Sequence, residues 1–388
     1  MEPTKNPYAA GPGLRPPAFA GRAPQVAAFD QMLSALGRGG DTEPLVVVGP
    51  VASGKTSFLH HCAERAIDAQ WLATVVGVGH GAQESLPYAV GLGFDRLVHA
   101  LTRHRPGMSG LPAIHSALAG FASTVGLEPT VAAAPDPSTS RGRLIGDLHG
   151  LLRVLGGAMN EIQRGMVVLV DDANRGTDAE LGAIVPAILD AAERGLPISV
   201  VLASASRLDP LTRTGRGGVA CQLVELGPFS FYDVQEALER PAVELGVGYQ
   251  HAAVRAIADR SVGSPMLVQM LASSAWDASK TTTIMLDDVD ASRPQADQVF
   301  LERFVQPLIE RLAPGQRRYL RAIADLEGTR VTSAAVARAL GDATRFGESS
   351  VLAAVRDELV RTGLIWSPDR TELLFTLPPL ARALPVLL

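Results

Sequence analysis

Pro44-Leu-Val-Val-Val-Gly49-Pro-Val-Ala-Ser-Gly54-Lys55-Thr56-Ser57 is the stretch on which the reading of this chain turns. Its first half is short and wholly apolar, as a strand buried on both faces of a parallel sheet must be. Its second half fits the pattern G-x-x-x-x-G-K-[ST] of a phosphate-binding loop, or P-loop. The glycines let the chain wrap tightly, so that backbone N–H groups point at phosphate oxygens. A helix beginning at Lys55 adds the unpaired donors and dipole of its N-terminus. Lys55 then brings a compact ammonium to the β- and γ-phosphates, and the Thr56 hydroxyl is placed to bind Mg²⁺. The expected phosphate-contacting set is Gly49, Pro50, Val51, Ala52, Ser53, Gly54, Lys55, Thr56 and Ser57.

Working outward, apolar runs and helical patterns alternate. A helix with Val26, Phe29, Met32, Leu33 and Leu36 on one face precedes the strand. After it come a helix over 55–66, a strand over 71–78, and helices between His80 and Ile162. That helical stretch breaks near Arg105-Pro106-Gly107 and again over 128–140. Strand 166–170, helix 178–193, strand 198–203 and a short strand over 222–226 follow. Strand and helix in alternation specify an α/β fold, a parallel sheet with helices on both faces. Residues 229–311 read as short helices, and residues 1–18 as an extended lead-in without its own core.

The other half of a phosphate site is an acidic pair at the end of a second buried strand, and Met166-Val-Val-Leu-Val170-Asp171-Asp172 supplies one. Asp171 is expected to hold the metal, and Asp172 to orient an attacking water. Aspartate is one methylene shorter than glutamate, which points to slow turnover or switching. A γ-phosphate sensor is expected after strand 198–203, with Ser206 preferred to Ser204.

These residues, in this order, resemble the AAA+ and STAND branch of P-loop ATPases. Phe19-Ala-Gly21-Arg22 looks like the F-x-G-R element that borders the adenine base in such proteins, and Gly263-Ser264-Pro265 is similar to the G-x-P motif of STAND proteins, whose proline lies against the nucleotide from a helical lid. The chain also resembles bacterial relatives of archaeal-type ATPases, through Asn6-Pro-Tyr and the following Gly-Leu-Arg-Pro-Pro17, and through Tyr319-Leu-Arg-Ala-Ile-Ala. That resemblance implies ATP or ADP with Mg²⁺ as cofactors and three domains after the lead-in: a nucleotide domain (19–228), a helical lid (229–311) and a winged helix (312–388). It also implies an arginine finger offered to a neighbouring copy, for which Arg213 and Arg216 lie nearest, though neither stands at the usual place.

The winged helix is legible in the residues themselves. Helices over 316–326, 332–340 and 349–362 are followed by apolar runs Leu364-Ile-Trp366 and Leu373-Leu-Phe375 around Ser367-Pro-Asp-Arg370. Three helices and a hairpin make this helix-turn-helix variant. Residues 308–388 hold eleven arginines against nine acidic residues, and Asp357 and Glu358 sit on the third helix. Phosphate contacts dominate DNA affinity, so duplex DNA is open as a partner but not favoured by charge. Packing against the nucleotide domain is the other reading.

The whole composition agrees with this outline. At 388 residues, 47% apolar and 19% charged, the chain is long enough for two or three domains of about 150 residues each. A net charge of −5 excludes a general nucleic-acid coat protein. Two cysteines, Cys62 and Cys221, build neither a disulfide framework nor a zinc site, and they are expected in the core with Trp276 and Trp366. His60 and His61 are helix neighbours that point apart and form no metal site. No signal peptide or membrane-length apolar run is visible, so a cytoplasmic protein without a membrane partner is expected. Only Lys5, Lys55 and Lys280 among 35 basic residues are lysines. The resulting expectation is an ATP-binding switch with slow hydrolysis, its homo-oligomeric state and protein partner open. The alternative is an ATP-dependent DNA-binding protein resembling replication initiators or transposition helpers. A small-molecule kinase is disfavoured, because over a hundred residues follow the sheet without an acceptor pocket in sight.

Overall fold

The apolar runs become five parallel strands. The computed structural model describes residues 6–11, 13–40, 42–79, 85–127, 137–205, 221–326, 331–344, 347–367 and 372–387. Contacts divide the chain into two units: residues 22–48 with 58–225, and residues 1–21 and 49–57 with 226–388.

The first unit is the sheet. Its strands are β1 Leu45–Val48, β2 Leu72–Gly77, β3 Met166–Asp171, β4 Ile198–Ser204 and β5 Gln222–Glu225, each within two residues of its sequence expectation. They lie in the order β2-β3-β4-β1-β5, and every neighbouring pair is parallel. Parallel neighbours need long crossovers, and the helices supply them. These are α1 Ala23–Gly37, α2 Lys55–Asp68, α3 Leu86–His104, α4 Leu111–Val125, α5 Pro137–Glu161 and α6 Asp178–Glu193. β3 and β4 are buried throughout, apart from partly exposed Asp171, which is why their sequences run apolar instead of alternating. Phe94, Ile114, Phe121 and Leu151 from the crossover helices join Val168, Val170 and Val200 of the sheet in one core. At Gly93 a Cβ would stand 2.4 Å from a Val168 methyl, so α3 rests directly on β3. α6 starts where the sequence placed it, at a capping box in which Thr177 accepts from the Glu180 N–H and the Glu180 carboxylate accepts from the Thr177 N–H. α5 begins at Pro137, inside the break expected over 128–140, and residues 128–136 lie outside the described ones.

In the second unit, helices Phe231–Val243, His251–Ser261 and Pro265–Ala278 surround Trp276, Val234, Leu238 and Ile257. Trp276 is fully buried, as expected. Two strands of two residues each, β6 Gly248–Tyr249 and β7 Thr283–Ile284, pair in parallel. Among its described residues the lead-in has no helix or strand, but it is anchored by side chains. Tyr8 is buried, its hydroxyl donates to the Leu238 carbonyl at 2.6 Å, and the Tyr249 hydroxyl donates to it at 2.8 Å. Burial pushes the Tyr8 phenol well above its ordinary value, with the Tyr249 bond opposing. Asn6 Nδ2 donates to Asp277 at 2.7 Å, and Arg303 donates to the Ala10 carbonyl at 2.7 Å.

Helices Leu286–Ala291, Arg293–Phe300 and Gln306–Arg311, with a π-helical segment Leu301–Val305, lead to the C-terminal region. There, β8 Val331–Thr332 lies between helices Pro314–Asp325 and Ser333–Ala339, and helix Ser350–Arg361 is followed by β9 Ile365–Trp366 and β10 Glu372–Phe375. These three strands form an antiparallel sheet of order β9-β10-β8, and a helix Pro378–Leu387 follows. Leu320, Ile323, Val336, Leu359 and Leu373 form its core together with Phe300 and Phe304. Trp366 departs from expectation. It is 58% exposed while its neighbour Ile365 is buried, because successive side chains on a strand point to opposite faces. Cys62 is buried as expected, and Cys221 only partly. Among the described residues no helix is long and apolar enough to cross a membrane.

Candidate functional site

The P-loop, residues 49–57, belongs to the unit that also holds helix Pro265–Ala278. Its backbone shows why the pattern demands glycine. A Cβ on Gly49 would meet the Ser53 hydroxyl at 2.5 Å and the Leu226 carbonyl at 3.0 Å, so the turn closes only without one. Gly54 has φ +86°, a conformation in which any other L-residue is strained. Ala52 is left-handed too, at φ +65°. The Ser53 N–H donates to the Pro50 carbonyl at 3.2 Å and closes the loop on itself.

Lys55 is buried, and its ammonium lies inside this turn, donating to the carbonyls of Gly49 at 2.8 Å and Pro50 at 3.0 Å. A cation held by loop carbonyls beside a cradle of N–H donors suits a polyanionic phosphate chain. The donor set and the missing Cβ atoms therefore fit a nucleotide. Thr56, in the first turn of α2, supplies the hydroxyl expected at a metal. Among the described residues no group of three or more His, Cys, Asp or Glu side chains could hold a metal ion. A metal here would rely on one hydroxyl, one carboxylate and phosphate oxygens, as Mg²⁺ commonly does.

Pro265 stands beside the loop: the position of a Gly54 Cβ is 3.8 Å from the Pro265 ring. Ser264, which sequence reasoning read only as part of a motif, donates its hydroxyl to the Ala52 carbonyl at 3.3 Å. Gly21, at φ +61°, donates its N–H to Glu236 at 3.2 Å and lies so close to Asp233 that a Cβ would clash at 2.8 Å. Phe19 is partly buried just before it. Arg22, also left-handed at φ +66°, forms the N-cap of α1 in the other unit.

The acidic pair stands at the carboxyl edge of the sheet. β4 separates β3 from β1, and Ser204 at the end of β4 pairs with Val48 at the end of β1. Asp171 closes β3, and its carboxylate accepts the Asp172 N–H at 3.0 Å. Asp172 turns left-handed at φ +55° and forms an ion pair with Arg175 at 3.4 Å. Asn174, buried, accepts the Ala205 N–H at 3.0 Å and so ties this turn to the end of β4. No sequence signal singled out Asn174. Ser204 is fully buried. The preferred sensor Ser206 and the finger candidates Arg213 and Arg216 lie outside the described residues.

Residues 18–201 match the model of the AAA ATPase domain, and residues 302–383 match that of a domain of unknown function, DUF8462. No curated protein is significantly similar to the chain in sequence. Among solved structures, the Walker-type ATPase PABY2304 of Pyrococcus abyssi is 16% identical, with a TM-score of 0.61 over 96% of this chain and 98% of that one. The RuvB Holliday junction branch migration motor of Thermotoga maritima is 20% identical, with a TM-score of 0.47 over 92% of each chain. The Aeropyrum pernix ORC1 protein, solved in complex with DNA, is 15% identical, with a TM-score of 0.47 over 95% of this chain and 93% of that one. The glycine-closed loop after β1, the acidic turn after β3 and the match of residues 18–201 to the AAA ATPase domain agree on a P-loop ATPase with an α/β fold.

Proposed function

We propose that this ATPase works as a nucleotide-dependent switch of the AAA+/STAND kind, with slow hydrolysis, in three domains: 19–228, 229–311 and a winged helix, 312–388. The observation that carries the reading is the buried Lys55 ammonium inside a glycine-closed loop. In this scheme Lys55 and the loop N–H groups bind the β- and γ-phosphates. Thr56 and Asp171 hold Mg²⁺, which would neutralise charge developing on the phosphate oxygens. Asp172 orients the attacking water. Phe19, Gly21 and Arg22 border the base, Pro265 closes on the nucleotide, and Ser206 senses the γ-phosphate, with Ser204 as the alternative.

Slow turnover is supported by Asp172 itself. Its carboxylate is short, and Arg175 engages one of its oxygens at 3.4 Å, which draws electron density from the group meant to orient water. The packing role of the C-terminal domain is supported by its third helix, where Arg356 pairs with Asp357 at 2.8 Å and Arg361 pairs with Glu358. Guanidiniums spent within the helix are poor phosphate ligands. Calorimetry tests the reading: the wild type should bind ATP with Mg²⁺, and Lys55→Ala should not. A mobility assay at low salt tests the C-terminal role. Retention of duplex DNA that weakens steeply with salt would replace the packing role with DNA binding.

A further inference from the structure

Helix Pro265–Ala278 carries Gln269, Ser273 and Asp277 at four-residue intervals, which places them in a row on one face. The lead-in lies along that row. Asn6 Nδ2 donates to the Asp277 carboxylate at 2.7 Å, and to the Ser273 hydroxyl and carbonyl at 3.1 Å each. Gln269 is 7% exposed, and its side-chain oxygen accepts the Ala9 N–H at 3.1 Å. A buried amide without such a partner is costly, so this face is built for a bound segment. The Asn6 side-chain oxygen accepts the Tyr8 N–H at 3.1 Å, a local turn that aims the Tyr8 ring. That ring meets Trp276 and Tyr249 edge-on, with centroids 5.8 and 6.4 Å away.

The two ends of this short segment belong to different cores. Tyr8 is part of the cluster formed by Val234, Leu238, Ile257 and Trp276. Ala10, two residues on, packs against the cluster that holds Phe304, Tyr319 and Leu320 of the C-terminal region. The Ala10 carbonyl accepts from Arg303 at 2.7 Å. Arg303 lies in the π-helical segment Leu301–Val305, where the Gln306 N–H reaches back five residues to the Leu301 carbonyl instead of four. Such single wide turns are uncommon and concentrate at functional sites. Shifting the winding by one residue turns the following chain by about 100°.

We propose that residues 6–10 are a detachable strap that locks the C-terminal region to the helical one. The Gln269-Ser273-Asp277 row is its binding face, and Arg303 is its catch. With the strap seated, Arg303 is held and the segment Leu301–Val305 keeps its wide turn. With the strap lifted, that segment is free to re-wind and the C-terminal region changes posture. The lock acts without nucleotide, so it stands or falls separately from the switch proposed above.

Amide hydrogen exchange on the full chain, without nucleotide, tests the strap in wild type, Asn6→Ala, Arg303→Ala and the double variant. Each single variant should quicken exchange in residues 314–325 about fivefold, the effect of one hydrogen bond. Residues 251–261 should keep the wild-type rate. Asn6 makes its hydrogen bonds to helix Pro265–Ala278 and to Tyr8, so its effect on residues 314–325 has to travel through the strap. The double variant should exchange no faster than the faster single one, because both substitutions open the same lock. Unchanged exchange at residues 314–325 in Asn6→Ala, or additive effects in the double variant, overturns the proposal.

Discussion

The turn after β1 and the turn after β3 each hold a non-glycine residue in the left-handed region, Ala52 at φ +65° and Asp172 at φ +55°. Beyond that they differ in what specifies them. The P-loop is a backbone device: its shape depends on Cβ atoms that Gly49 and Gly54 do not have. The acidic turn is a side-chain device, in which the Asp171 carboxylate takes the Asp172 N–H, Asp172 meets Arg175, and Asn174 takes the Ala205 N–H. Substitutions should therefore injure the first turn through shape and the second through chemistry.

The largest expected effect falls on the second turn. Asp172→Asn keeps a residue type that tolerates the left-handed region but removes the carboxylate. Phosphate release should slow by about 10²–10⁴-fold, the range of a positioned base, with ATP affinity unchanged. Undiminished turnover would remove Asp172 from the reaction. In the first turn, Gly49→Ala forces a Cβ against the Leu226 carbonyl, and overpacking of this kind costs about 1–3 kcal/mol. Denaturant unfolding should record that loss together with weaker ATP binding. Gly54→Ala has room around it but imposes a left-handed Cβ, at about 1–2 kcal/mol. If both glycine variants bound ATP normally, the contrast between the turns would fail. The smallest effect belongs to Arg175→Ala. A partly exposed ion pair contributes under about 1 kcal/mol, so stability should barely move and turnover should not fall.

The same contrast explains what was legible in the sequence. A backbone device leaves its mark as fixed glycine spacing, so the P-loop and the strand before it stood out at once. The sheet was legible because β3 and β4, buried on both faces, can only be apolar runs. Contacts between distant residues left no such mark. Nothing local in Asn6-Pro-Tyr8 announces a hydroxyl bonded to Leu238, 230 residues on, and Ser264 read as a motif filler because its partner is equally remote. The two short C-terminal strands were legible as apolar runs, but the burial expected of Trp366 failed. The two-residue strand Ile365–Trp366 has no period to read, and a run of three apolar residues hid the alternation that buries Ile365 and exposes Trp366.

Lysine offers the most direct test. Lys55 is buried, with its ammonium on two carbonyls of the P-loop, whereas Lys280 is exposed. A planar guanidinium does not substitute for a compact ammonium in so tight a turn, so Lys55→Arg should impair nucleotide handling and Lys280→Arg should be silent. Calorimetric titration of ATP and Mg²⁺ into wild type and Lys55→Ala is the decisive measurement: saturable binding in the first and none in the second is the predicted result, and equal binding in both would contradict the account.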